Sequence, residues 1–286
     1  MTINKTISDV QQSFRVLHVS DTHLSSRDQS GVDAWTNLVR FTEWTRPDLV
    51  VHSGDVVEDD PDSDEDHEFG AFQLRRLTTP WRVIPGNHDI GDSDPDPYHG
   101  LVSEERLSRY RRHFGDDRWA VVTDGWLLVG LNSQLFDNVL ESEEHEQWDW
   151  FEQRIAAHPE LPIALFIHKP PAIVSLSDQL FVNKAIGLGA RARLLRLAQS
   201  GRLRLIGCGH LHEFMTFQSH GVLVVAAPSL SKGPLEGVKR QLGLRCNGAV
   251  EYQFAPNSVS FRLLEAEELQ PPLLAHRRGP AERVEV

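Results

Sequence analysis

FRVLHVSDTH, residues 14–23, sets how the rest of the chain is read. Residues 14–20 alternate in polarity and are rich in strand-forming side chains, the pattern of a half-buried strand. Asp21-Thr22-His23 ends that strand on a carboxylate and an imidazole. Residues 21–30 then read as a loop, and residues 32–45 as a helix with Val32, Trp35, Leu38, Val39 and Phe41 near helical spacing. Pro47-Asp48 breaks the helix, and residues 49–52 (LVVH) form a second short buried strand. An acidic run at 58–68 reads as a solvated loop leading into a helix over 66–77. Residues 81–84 are a third strand. Strand, helix, strand, helix, strand argues for parallel βαβ units.

Downstream, residues 92–97 are a Pro/Asp loop and a helix follows near 103–114. Residues 119–122 and 126–131 form a hairpin around the turn dipeptide Asp124-Gly125. Helices are expected over 143–157 and 190–199, and strands over 161–167 and 203–208, with a long irregular stretch at 170–189. Two further strand pairs follow, 214–218 with 222–226 and 249–254 with 259–264. There is no internal repeat and no linker. The expected organisation is one domain over residues 1–266 and a mobile tail over 267–286.

A chain of 286 residues with 40% hydrophobic and 24% charged residues has an ordinary globular composition. No stretch reaches the roughly 18 apolar residues of a membrane span. The first residues are polar and lack the apolar core of a secretory signal, and two cysteines, Cys208 and Cys246, imply no disulfide framework. The expected location is the cytoplasm, with no membrane partner; a homo-oligomer is compatible with the sequence. The net charge of −12 disfavours long nucleic acids, which are bound mainly through Lys and Arg. It does not exclude small phosphate esters, because bound cations invert the local potential.

The polar residues fall where such a sheet binds ligands, outside the carboxyl ends of its strands. The first strand ends in Asp21-Thr22-His23, the second in Gly54-Asp55, and the third in Gly86-Asn87-His88-Asp89. The strand at 161–167 ends in His168, and that at 203–208 in Gly209-His210-Leu211-His212. Singly, each has a bland explanation as a turn, a cap or a satisfied histidine; jointly, always at a strand end, they do not. Carboxylate, imidazole and amide oxygen suit Mn, Fe, Zn or Co rather than Ca. The absence of Cys argues against a structural zinc site. Seven candidate ligands exceed what one tetrahedral ion needs, and two ions sharing a carboxylate would use them all. Glycines 54, 86 and 209 let the following side chains converge.

This set, Asp21-x-His23, Gly54-Asp55, Gly86-Asn87-His88-Asp89, His168 and Gly209-His210-x-His212, resembles that of the calcineurin-like metallophosphoesterases over residues 15–264. His168-Lys169-Pro170-Pro171 is most similar to the bacterial cyclic-nucleotide and glycerophosphodiester phosphodiesterase branch. The resemblance implies an α/β fold, a four-layer sandwich of two mixed β-sheets flanked by helices. It implies that Asp21, His23 and His212 hold one divalent ion, that Asn87, His168 and His210 hold a second, and that Asp55 bridges them. His88 would face the scissile phosphate as a catalytic residue, with Asp89 orienting it. Asn87, His88 and Lys169 would contact the substrate. The branch usually carries a second His where this chain has Lys169. The implied reaction is hydrolysis of a small phosphodiester, of cyclic-nucleotide or glycerophosphodiester type, by attack of a metal-bound hydroxide. With two carboxylates, a pair of divalent ions leaves a site charge of about +2, which attracts an anionic ester.

Other readings of the same residues are weaker. A nuclease would need a basic groove. A non-catalytic module should have lost ligands or His88. Protein phosphatases of this kind follow the second and third motifs with Arg, whereas Asp55 precedes Val56-Val57-Glu58 and Asp89 precedes Ile90-Gly91-Asp92. A small-molecule phosphomonoesterase is the closest alternative. Residues 92–100, 170–189 and 231–247 are the expected specificity loops.

Overall fold

The computed structural model describes residues 13–270 except 59, 95–98, 124, 180–181, 234–240 and 257. Eleven strands and six α-helices are described, in the order β1 (Phe14–Val19), α1 (Gln29–Thr45), β2 (Leu49–His52), α2 (Asp64–Leu74), β3 (Trp81–Val83), α3 (Asn87–Ile90), α4 (Glu104–Phe114), β4 (Trp119–Thr123), β5 (Trp126–Gly130), α5 (Glu141–Ala157), β6 (Ile163–Phe166), α6 (Leu188–Gln199), β7 (Leu203–Cys208), β8 (Met215–Ser219), β9 (Val222–Ala226), β10 (Gly248–Ala255) and β11 (Ser258–Glu265). Helices begin where a side chain can take the place of a missing backbone acceptor: Asp28 accepts from Ser30 N, Ser63 from Asp66 N and Ser103 from Arg106 N. These caps start α1 and α2 two or three residues earlier than apolar spacing alone indicates.

The strands form two mixed sheets, ordered β11-β10-β1-β2-β3 and β4-β5-β6-β7-β9-β8. β1, β2 and β3 run parallel, as do β5, β6, β7 and β9; β10 lies antiparallel to β1. Period-two alternation sorts their side chains. Val16, Val51, Phe166, Leu205 and Tyr252 pack between the sheets. Leu17, Val19 and Val50 face outward onto Trp35, Leu38 and Leu74 of α1 and α2. Leu127, Leu165 and Ile206 face the other way, onto Trp148, Phe151 and Leu194 of α5 and α6. The result is the expected four-layer sandwich. Leu269 is buried against the first helical layer, so chain order extends past residue 266; residues 271–286 lie outside the described residues. Among the described residues, no helix is long and apolar enough to cross a membrane.

His18 is sealed between the sheets, against Phe166 and Tyr252. His18 Nε2 lies 2.8 Å from Ser53 Oγ, and burial, then His52, pushes its pKa down to about 3. Unfolded, His18 takes up a proton below about pH 6.5. Its neutral folded form therefore contributes stability that is complete above that pH and is lost as pH falls towards 3. We expect the melting temperature of His18→Gln to fall less steeply than the parent's between pH 6.5 and 4; parallel profiles would refute this.

Candidate metal centre

The parallel strands of both sheets end at one edge, and hydrogen bonds stitch the two edges together. Asp21 N donates to Gly54 O at 3.0 Å and Ser53 N to Val19 O at 2.9 Å within the first sheet. From the second sheet, His168 Nδ1 donates to Ser53 O at 2.9 Å, and His210 N donates to Asp21 Oδ2 at 3.0 Å. The chain turns hard at this seam. Asp21, His23, Asp55, His210 and His212 all have φ between 46° and 68°, the left-handed region that costs a non-glycine residue about 1–2 kcal/mol. Gly54 takes φ 102°, whereas Gly86 serves close approach: a Cβ there would overlap the Asp55 carboxylate.

These turns aim seven side chains inward as two groups. In the first, His23 Nε2 and His212 Nε2 are 2.9 Å apart, His212 Nε2 is 3.3 Å from Asp21 Oδ1, and His23 Nε2 is 4.0 Å from Asp55 Oδ2. In the second, His168 Nε2 lies 3.3 Å from Asp55 Oδ2, 3.1 Å from Asn87 Oδ1 and 3.2 Å from His210 Nδ1. Asp55 Oδ2 belongs to both groups, while Asp55 Oδ1 accepts the His88 backbone N–H at 2.9 Å.

The far side of each ring explains why these atoms fit a cation. His212 Nδ1 donates to Gly233 O at 2.9 Å, and His23 Nδ1 lies 2.7 Å from Glu58 Oε2. Protons held at Nδ1 leave lone pairs at both Nε2 atoms, facing each other beside a carboxylate. That arrangement repels itself until a positive charge enters. The protonation equilibria say the same. Burial resists ionisation of Asp21 and Asp55, yet His212 and His168 hold both carboxyls well below the usual range. Burial likewise opposes the charged form of His168, but Asp55 outweighs it and pushes the imidazole up to about 9. His212 is raised as well, whereas burial holds His23 and His210 below the ordinary imidazole range, so the site joins buried negative charge to rings kept neutral, and both suit cations. Asp21, His23, Asp55, Asn87, His168, His210 and His212 would hold them.

Three sequence expectations change. Asp89 does not orient the His88 ring: its carboxylate accepts from Val56 N and Val57 N at 3.0 Å and from Gly86 N at 2.8 Å, tying the second and third motifs together. Burial, then Asp55, raises that carboxyl to about 7. The His88 ring is held instead by the Glu58 carbonyl, 2.9 Å from its Nδ1. Lys169 is neither solvent-facing nor free to meet an ester: it is fully buried, with Nζ paired to Asp92 and 3.2 Å from Ser93 Oγ. Glu58, read as part of a solvated acidic run, faces His23 with one oxygen and Lys232 Nζ with the other at 3.2 Å. Its position three residues after Asp55 was the available signal. His23, Glu58 and His88 also bring ligand-type atoms together, but Glu58 already bridges the two rings through its carboxylate and its carbonyl.

The family model described as Calcineurin-like phosphoesterase matches residues 14–214, which carry all five motifs and stop short of strands β8 to β11. The chain belongs to the calcineurin-like phosphoesterases. It is accordingly a metal-dependent phosphoester hydrolase. The chain is 26% identical over 265 residues to a probable glycerophosphodiester phosphodiesterase GpdQ of Arcobacter nitrofigilis, covering 88% of this chain and 89% of that one. It is 28% identical over 226 residues to the 3′,5′-cyclic adenosine monophosphate phosphodiesterase CpdA of Escherichia coli K12, covering 75% of each. Among solved structures, a purple acid phosphatase from yellow lupin superposes with TM-score 0.63 at 14% identity, over 91% of this phosphoesterase and 52% of that chain. A dimetal phosphatase from Danio rerio superposes with TM-score 0.60 at 11% identity, over 88% and 96%. These two likenesses concern the fold alone.

Proposed function

We propose that this phosphoesterase is a dinuclear phosphodiesterase acting on small phosphodiesters of the cyclic-nucleotide or glycerophosphodiester type. The observation that carries the reading is Asp55 Oδ2, one oxygen placed in both groups of ligand atoms. Two buried carboxylates, four imidazoles and one neutral amide leave a pair of divalent cations with net positive charge, to which a singly charged diester is drawn. When bound, such a pair polarises the phosphoryl group and lowers the pKa of water at the site. The protein supplies the rest. Asp55 fixes the spacing of the two groups, Glu58 and the Gly233 carbonyl fix the rings of His23 and His212, and His88 stands outside both groups where an ester oxygen can meet it. The names of the bacterial relatives support diesters, and the acidic chain supports small ones.

We expect Mn-loaded protein to plateau at two ions per chain on elemental analysis, and Asp55→Ala to lose at least one. In a kinetic panel, bis-p-nitrophenyl phosphate should exceed p-nitrophenyl phosphate in kcat/KM, with turnover of 2′,3′- or 3′,5′-cyclic nucleotides or glycerophosphodiesters. A plateau at one ion with full activity removes the dinuclear reading. Preference for the monoester removes the diester reading.

A further inference from the structure

Of the three lysines among the described residues, two are neutralised: Lys169 by Asp92, and Lys232 by Asp28 and Glu58. Lys184 is half-buried, and among the described residues its Nζ meets no carboxylate and no hydrogen-bond acceptor. Partners are not scarce in this chain, which carries 41 Asp and Glu against 29 Lys and Arg. The place of Lys184 is nonetheless built. Ala185 and Ile186 beside it are buried. Ala185 N donates to Val182 O at 2.9 Å, Ile186 N to Pro170 O at 3.0 Å, and the Arg191 guanidinium to Ile186 O at 3.2 Å. Pro170 is two residues beyond His168, so this turn seats Lys184 beside the second group of candidate ligands. Its charge reaches that group: after burial, His168 and Lys169, it helps to keep the His210 ring from taking a proton, against the pull of Asp55.

An unpaired cation in that place works against a loaded centre, which carries net positive charge and repels it. An electron-rich group of the bound ester, lying between the two, turns the repulsion into attraction. Which group follows from the layout of the site. The ions would take the phosphoryl oxygens, and Lys184 makes no hydrogen bond or ion pair to any of the seven side chains that would hold them. His88 stands edge-on to His23, in the first group, so an alcohol leaving towards His88 departs on that side. The alcohol that stays on phosphorus then comes to the side of His168 and His210, where Lys184 is. Lys169, the lysine expected at the substrate, is buried against Asp92 and does not compete for it.

We propose that Lys184 is a specificity-determining residue that pairs with an acceptor or anionic group on the retained alcohol of the diester, so that cationic alcohols such as choline are disfavoured. The proposal rests on the diesterase reading. The test uses Mn-loaded protein and three diesters with one leaving group, the p-nitrophenyl esters of thymidine 5′-phosphate, methyl phosphate and phosphorylcholine. For the parent, kcat/KM should fall in that order. Lys184→Met should lower kcat/KM for the thymidine ester about 10-fold, the usual worth of a hydrogen bond to a charged group, and should do so through KM. It should change the methyl ester far less and raise the choline ester, so the order flattens. Lys184→Arg should keep the parent's order. Bound Mn and the melting temperature should stay at the parent's values, because the substitution strands no partner. Equal losses on all three esters would overturn the proposal, as would a Met variant with the parent's kinetics or one that loses metal. A parent that hydrolyses p-nitrophenyl phosphate and none of the diesters refutes the diesterase reading instead. The three diesters then serve as inhibitors of that turnover: the role of Lys184 stands if Lys184→Met weakens the thymidine ester selectively, and falls if all three inhibit parent and variant alike.

Discussion

His88→Ala should keep its metal content and its fold, and lose about 10²–10⁴-fold in kcat, the range for a lost general acid or base. The backbone hydrogen bond from residue 88 to Asp55 Oδ1 survives the substitution, so the Asp55 carboxylate stays in place. The ring is held edge-on to His23, with centroids 4.5 Å apart, and its Nδ1 is occupied by the Glu58 carbonyl. Only Nε2 is left for an ester oxygen. If that nitrogen delivers a proton, the loss is largest for alkoxide leaving groups, which cannot depart as anions. It shrinks for p-nitrophenolate, which can. Equal losses on both substrate types would assign His88 to charge stabilisation of the phosphate alone. Loss of a bound ion would make it a ligand and overturn the assignment.

Lys169→Met should destabilise the fold by about 3–5 kcal/mol, the usual result of removing one partner from a buried ion pair. For a chain of this size that is a fall in melting temperature of roughly 6–20 °C. The cause is Asp92, a buried carboxylate left without its cation. The double variant Lys169→Met, Asp92→Asn removes the stranded charge and should recover most of the loss, which separates a charge effect from a packing effect. A single variant that melts with the parent would show that solvent reaches Asp92. The Lys169 backbone N–H bond to Ser133 Oγ, 3.0 Å long, persists in both and keeps His168 in register.

The sequence carried the sheets and the candidate ligands for one shared reason: both depend on short-range pattern. β2 at Leu49–His52 and β7 at Leu203–Cys208 stand out as apolar runs bounded by turn residues, and each motif follows its strand directly. What stayed hidden depends on distant partners. Nothing near Lys169 in the chain announces Asp92, 77 positions away, so its burial was not visible. The role of Asp89 was misread because a carboxylate beside a histidine suggests a pair, whereas three backbone N–H groups from two motifs claim it. Glu58 was absorbed into an acidic run whose other members, such as Asp62 and Asp64, do pair with arginines of α4 at the surface. The four-residue helix Asn87–Ile90 is too short for any periodicity.

The left-handed backbone at Asp21, His23, Asp55, His210 and His212 bears on any attempt to toughen this enzyme by directed evolution. Glycine at each of these positions would relax the main chain and delete a proposed ligand in the same step. A library sorted for heat endurance in chelator would be drawn towards those exchanges, since nothing in that screen rewards the side chains they discard. Sorted with Mn²⁺ present, the same library would be held to the parent residues, because bound ion repays the folded state in proportion to its concentration over its dissociation constant. The choice of buffer would decide whether the sturdier descendants are still catalysts.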